Sequence, residues 1–170
     1  LAGLMLITVP ISMGILAPIS GSLSDRLGSR PLTVAGLVVL SLGYLGATTL
    51  TETTSTLGYV LRFIPIGAGM GLFQSPNNSA IMGAAPRGRL GVASGLLSIT
   101  RTLGQTSGIA IMGALWASRV GLLSGLPAAD ATTAPGTYQV AALRFTLSIV
   151  IVMILIGLGL SLFAYWQERR

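Results

Sequence analysis

Five apolar stretches, at approximately residues 1–22, 32–50, 57–84, 91–118 and 140–166, dominate this chain. About 20 such residues are what a helix needs to cross a hydrocarbon core of roughly 30 Å. With 52% hydrophobic and 8% charged residues and a mean hydropathy of +0.82, the chain has too little polar surface to wrap a water-soluble core. Inside hydrocarbon each segment must satisfy its own backbone groups, which a helix does. The expected fold class is therefore all-α, a polytopic helical transmembrane bundle with about five spans. The 23 glycines and 8 prolines agree with this: small residues let membrane helices approach, and neighbouring helices re-satisfy carbonyls that proline frees.

The connections between these stretches alternate in charge. Arginine pairs lie at Arg26 and Arg30, at Arg87 and Arg89, and at Arg169 and Arg170, whereas Glu52 and Asp130 fall in the intervening segments 51–56 and 119–139. Threading five spans puts the arginine pairs on one face and the two acids on the other, and the positive-inside rule makes the first face cytoplasmic. The net charge of +6 is thereby accounted for by topology, and no nucleic-acid partner is expected. The segment from Gly121 to Thr137, rich in Ala, Thr, Gly and Pro, reads as a flexible surface connection. Tyr165 and Trp166, just before Gln-Glu-Arg-Arg, match an interfacial aromatic belt. Because the chain opens on Leu1 within an apolar run, it reads as part of a longer protein, without a signal peptide.

Several chemistries lack their residues. The chain has no cysteine and no histidine, so disulfides, thiolate ligands, imidazole ligands and a Ser-His pair are ruled out. No cofactor or metal is expected. Gly67-Ala-Gly69-Met-Gly71 lies inside an apolar run, where close helix packing fits better than a nucleotide-binding turn. Gly91/Gly95 and Gly104/Gly108, also four apart, are read the same way, as faces that slide against neighbouring helices.

The densest local charge sits between the first two stretches, in Gly21-Ser-Leu-Ser-Asp25-Arg26-Leu-Gly28-Ser-Arg30-Pro31. Gly21 and Gly28 suit a close approach or a sharp turn, Pro31 suits the first turn of the next helix, and Asp25 can accept hydrogen bonds at a helix N-terminus or pair with arginine. The pattern Gly-x-x-x-Asp-Arg-x-Gly-x-Arg resembles the signature loop of the major facilitator superfamily. Gly67 to Asn78, Pro86 to Gly95 and Arg101 to Ala110 resemble the late spans of its drug:proton antiporters, in particular the fourteen-span EmrB/QacA-like branch. The resemblance implies that residues 1–170 are the C-terminal part of a transporter core. It implies alternating access around a midplane site, with Gly21, Asp25, Arg26, Gly28 and Arg30 as a conformational-gating loop.

Polar residues inside the stretches point to a cavity, since burying them in lipid is costly. Gln74 and Asn78 are four apart, with Asn77 beside them and Pro76 loosening the helix. Ser94, Ser98, Arg101, Gln105 and Gly108 form a polar and small stripe on the fourth stretch. Arg101 either faces the cavity or an opposing helix, or snorkels to the membrane surface. Arg62 and Arg144 sit at span ends, where interfacial anchoring suffices. Asp25, Glu52, Asp130 and Glu168 all lie outside the stretches, so a proton-accepting carboxylate is expected in the missing N-terminal half.

The expected function is secondary active transport in a bacterial inner membrane, proton-driven efflux of multiple drugs or amphipathic compounds. Its partners are the lipid bilayer, a small-molecule substrate and protons. A carrier for a defined metabolite is the main alternative, and a non-transporting scaffold or receptor a further one. A membrane enzyme is disfavoured, because no span carries paired aspartates or a nucleophile with a base. Orientation is directly testable: in intact cells, single cysteines at Ser29 and Gly88 should resist an impermeant thiol reagent while one at Thr132 reacts. The opposite pattern would invert the topology.

Overall fold

The computed structural model describes residues 2–168, so Leu1 and the arginines at 169 and 170 lie outside the described residues. Six α-helices follow in order, α1 (Ala2–Leu6), α2 (Thr8–Leu27), α3 (Ser29–Ala47), α4 (Thr56–Ala84), α5 (Leu90–Ser124) and α6 (Gly136–Glu168). Short 3-10 turns at Arg87–Arg89 and Ala128–Thr133 complete the described chain, which contains no strand. The break between α1 and α2 falls at Ile7, next to Leu6, whose carbonyl finds no amide at Pro10. Backbone hydrogen bonds from Ile7 to Gly3 and from Ile11 to Ile7 carry the helical path through it. Among the described residues, α3, α4, α5 and α6 are long and apolar enough to cross a membrane.

The chain divides into two compact units, one comprising residues up to Ala80 together with Leu147 onward, the other Ile81–Thr146. In the first, α2 is inside out. Its buried residues are Thr8, Ser12, Ser20 and Ser24, while Ile11, Ile15, Ile19, Leu23 and Leu27 are exposed. An isoleucine-leucine ridge at a spacing of four, turned outward, is what a helix presents to hydrocarbon, and the hydroxyl ridge turns inward. This polarity also explains why α2 falls short of the apolarity of the other four spans. The serines cost little because they bond to nearby carbonyls: Ser12 Oγ donates to Thr8 O at 2.8 Å and Ser20 Oγ to Leu72 O at 3.1 Å.

Glycine sets how closely α4 packs. A Cβ on Gly36 would lie 2.6 Å from the amide nitrogen of Phe73, one on Gly69 2.5 Å from that of Leu40, and one on Gly43 2.7 Å from that of Ile66. These pairs, 36 with 73, 40 with 69 and 43 with 66, run in opposite directions, so α3 and α4 are antiparallel and touch backbone to backbone. On α2, Ser12 meets Gly67, and Met13 and Ala17 meet Gly71. Numbering there rises together, so α2 runs parallel to α4. The Gly67-Ala-Gly69-Met-Gly71 block is thus the shared contact of a three-helix group, with Gly67 and Gly71 turned to α2 and Gly69 to α3. On α5, a Cβ added at Gly91, Gly95, Gly104 or Gly108 would meet nothing within 4 Å among the described residues.

In the second unit, the segment expected to be a flexible connection is folded. α5 runs on to Ser124, ends on Gly125 in the left-handed conformation (φ 75°), and a 3-10 turn packs back on it. Ala131 and Ala134 join Val120 and Ala142 in a buried cluster, with Trp116 and Ala117 against it. Gln139 Nε2 donates to the carbonyls of Thr132 and Ala134, and Trp116 Nε1 to the carbonyl of Gln139. Small alanines let the turn approach the helix, and one glutamine satisfies two of its carbonyls; composition alone shows only the small residues.

The link from Ser20 to Leu72 has a clear cause. Residue 76 is a proline, so the Leu72 carbonyl, four residues earlier, has no helical amide to accept from. Ser20, fully buried, supplies the missing donor from α2. Ser20→Ala should therefore cost about 1 to 3 kcal/mol, the penalty of an unsatisfied buried group. Restoring the amide with Pro76→Ala in the same protein should recover much of it. Thermal unfolding of the full-length protein in detergent checks this, and additive losses in the double variant would remove the coupling.

Candidate functional site

The residues expected to form a gating loop lie at or near the corner between α2 and α3, and the corner is tighter than a loop. Both helices continue to it, leaving Gly28 alone between them at φ 86°, ψ 157°. That φ lies where a side chain is strained, which is why glycine stands there. The Gly28 amide donates to Ser24 O at 2.9 Å, and the Ser24 and Ser29 hydroxyls meet at 3.1 Å across the corner. Pro31 falls in the first turn of α3, where its missing amide has no helical partner in any case. Gly21 faces α4, its Cβ position 3.3 Å from Ser75 Oγ, so it serves helix contact rather than the turn.

Asp25 lies elsewhere than expected. It is in the last turn of α2, not in a loop or at a helix N-terminus. There the helix dipole disfavours a carboxylate and favours the neighbouring Arg26, by about 0.3–1 kcal/mol each. Asp25 and Arg26 are exposed, and neither side chain has a hydrogen-bonded or ionic partner among the described residues. Arg30 is exposed on the first turn of α3. The corner thus presents three charges outward on a rigid backbone.

The cavity candidates divide between the two units. Gln74, Asn77 and Asn78 are half-buried on consecutive turns of α4, beside the fully buried Pro76. Arg101 and Gln105 are four apart and exposed on α5. Only 6% of the apolar window of α5 is buried within the chain. Two features escape sequence reading. One is an apolar groove of about 590 Å³ along the first half of α2 and the start of α4, lined by Ile11, Ile15, Val60 and Ile64 with Thr8 and Ser12; its signal is the spacing of four along α2. The other is Arg62, which donates to Thr49 Oγ1 at 2.8 Å and to Gly58 O at 2.9 Å. It ties the end of α3 to α4 instead of merely anchoring at an interface.

Four long apolar helices, an inverted α2 and glycine-mediated backbone contacts define a multi-pass helical membrane protein. The profile of the Major Facilitator Superfamily matches residues 1–169, and the chain belongs to that family. It is 40% identical over 108 residues to the uncharacterized transporter YebQ of Escherichia coli, covering 64% of this chain and 24% of that protein. It is 30% identical over 110 residues to the riboflavin transporter RibZ of Clostridioides difficile, covering 65% of this chain and 24% of that one. To the multidrug resistance protein Stp of Mycobacterium tuberculosis it is 34% identical over 108 residues, 64% of this chain and 20% of Stp. The chain spans about a quarter or less of the length of these relatives. No solved structure matches it.

The two readings of Arg101 are separable in the full-length transporter. If the guanidinium faces the cavity or an opposing helix, Arg101→Ala should impair transport strongly and Arg101→Lys restore it only in part, since lysine lacks the planar fork. Full activity with lysine would assign Arg101 to snorkelling, and full activity with alanine would remove it from the site.

Proposed function

We propose that this chain forms the C-terminal part of a proton-driven exporter of amphipathic organic compounds in a bacterial cytoplasmic membrane, of the fourteen-span EmrB/QacA-like branch. The observation that carries the reading is the α2–α3 corner. A carboxylate placed at the unfavourable end of a helix, exposed and without a partner among the described residues, gains nothing locally. Its stabilising contact would come from the opposing half of the carrier in one of its two states. Arg26 and Arg30 flank it and would share that contact, while Gly28 makes the turn and Gly21 seats the end of α2 against α4. In alternating access, two halves rock around a midplane site, and a contact made in only one state shifts the balance between states by its own free energy.

Substrate would meet Gln74, Asn77 and Asn78 of α4, with Arg101 and Gln105 of α5 as further wall. The acids of this chain are at Asp25, Glu52, Asp130 and Glu168, outside the middle of every helix, so proton coupling would rest on the opposing half. The names of Stp and of a tetracycline resistance determinant from Streptomyces rimosus, 32% identical over 108 residues, favour drug export. The name of RibZ favours the second reading, a carrier for one defined metabolite.

Asp25→Asn in the full-length transporter should leave membrane insertion near normal and lower transport at least several-fold, because the lost contact acts on the equilibrium between states. Proton-gradient-driven efflux from everted vesicles checks this. Unchanged efflux at normal expression would reduce the corner to a structural turn.

A further inference from the structure

Arg119 carries a positive charge near the end of α5 that nothing among the described residues neutralises. Its Nε is buried and has no hydrogen-bond partner. The guanidinium lies over Phe145, with Cζ 4.8 Å from the ring centroid. Asp130, the acid of the same unit, contributes only backbone groups, its amide to Pro127 and its carbonyl to Thr133. Val120, the next residue, is fully buried under the folded turn, and Trp116, one helical turn before, is held by the Gln139 carbonyl. The arginine is therefore fixed on a rigid platform, with the ring behind it and its Nε shut off. What it can offer a ligand is the edge bearing its two Nη groups.

We propose that Arg119, backed by Phe145, is a binding site for a phosphate oxyanion, and that the phosphate is that of a bilayer phospholipid at the end of α5 where Gly125 caps it. Two parallel N–H donors on a planar cation match two oxygens of a phosphate, and the charge-assisted pair stabilises an ion whose Nε goes unsatisfied. Contact with Phe145 orients the fork and lowers the entropy lost on binding. Trp116 and Tyr138, both of this unit, are the residue types that settle at the headgroup level. Phe145 and Tyr138 remain 42% and 39% exposed, leaving apolar surface beside the cation for the glycerol and first methylenes of a lipid. The site shares no residue with the α2–α3 corner or with the cavity candidates, and it stands whichever substrate is carried.

The test is native mass spectrometry of the delipidated full-length transporter, titrated separately with phosphatidylglycerol, phosphatidylcholine, diacylglycerol and inorganic phosphate. The wild-type protein should retain one more molecule of either phospholipid than Arg119→Gln, with about ten-fold tighter binding. Diacylglycerol should show no difference between the two. Arg119→Lys and Phe145→Leu, which keep the charge or the packing volume, should fall between them and elute as the same monodisperse species as wild type. Millimolar inorganic phosphate that displaces the extra lipid would assign the site to soluble phosphate, and failure to displace it assigns the site to lipid. Equal phospholipid retention by wild type and Arg119→Gln, or equal retention of diacylglycerol and phospholipid, would overturn the proposal.

Discussion

Backbone-to-backbone contact is the interaction on which the first unit depends. Between helices in hydrocarbon the hydrophobic effect gives no drive, so association comes from dispersion and hydrogen bonding, both of which demand close approach. Gly36, Gly43 and Gly69 bring the α3 and α4 backbones to distances that no Cβ would permit, and Gly67 and Gly71 do the same toward α2. The other features of this group follow from that closeness. Only at such range can the Ser20 hydroxyl on α2 reach the carbonyl that Pro76 leaves open in α4, and only with its hydroxyls inward can α2 show isoleucine to lipid.

The second unit solves a different problem. α5, at 35 residues, extends about 50 Å, well beyond a hydrocarbon core of roughly 30 Å, and little of it is covered by this chain. Its stability at one end comes from the folded turn, where Ala131 and Ala134 close over Val120 and Gln139 binds the turn's carbonyls. Most of the rest of its surface, including Arg101 and Gln105, is exposed among the described residues. Arg119 sits at the boundary between these regimes, half-buried, with its Nε enclosed and its Cζ over Phe145.

Much of this is legible from residue order. The observed helices α3, α4, α5 and α6 overlap the expected stretches at 32–50, 57–84, 91–118 and 140–166 with ends that differ by up to six residues, whereas the stretch expected at 1–22 is divided at Ile7 and its helix runs on to Leu27. The α2–α3 corner is visible as a motif, but its tightness is not. Hydropathy ends a span at its charges, whereas the backbone of α2 continues helically through Asp25 and Arg26 because neither residue forbids it. The turn at 128–133 is hidden for a related reason: Ala, Thr and Pro mark loops by composition, and whether a loop packs depends on a distant partner, here Gln139. Glycine spacing of four is equally ambiguous, since Gly67/Gly71 and Gly104/Gly108 carry the same pattern and only the first pair meets another helix among the described residues.

A corner of one residue has a consequence for how this protein is made. With Gly28 alone between α2 and α3, the ribosome delivers the second helix within a residue of finishing the first. No flexible linker separates the two helices, so the first turn of α3 is already joined to the last turn of α2 when it forms, and the contacts between them can be made as soon as α3 emerges.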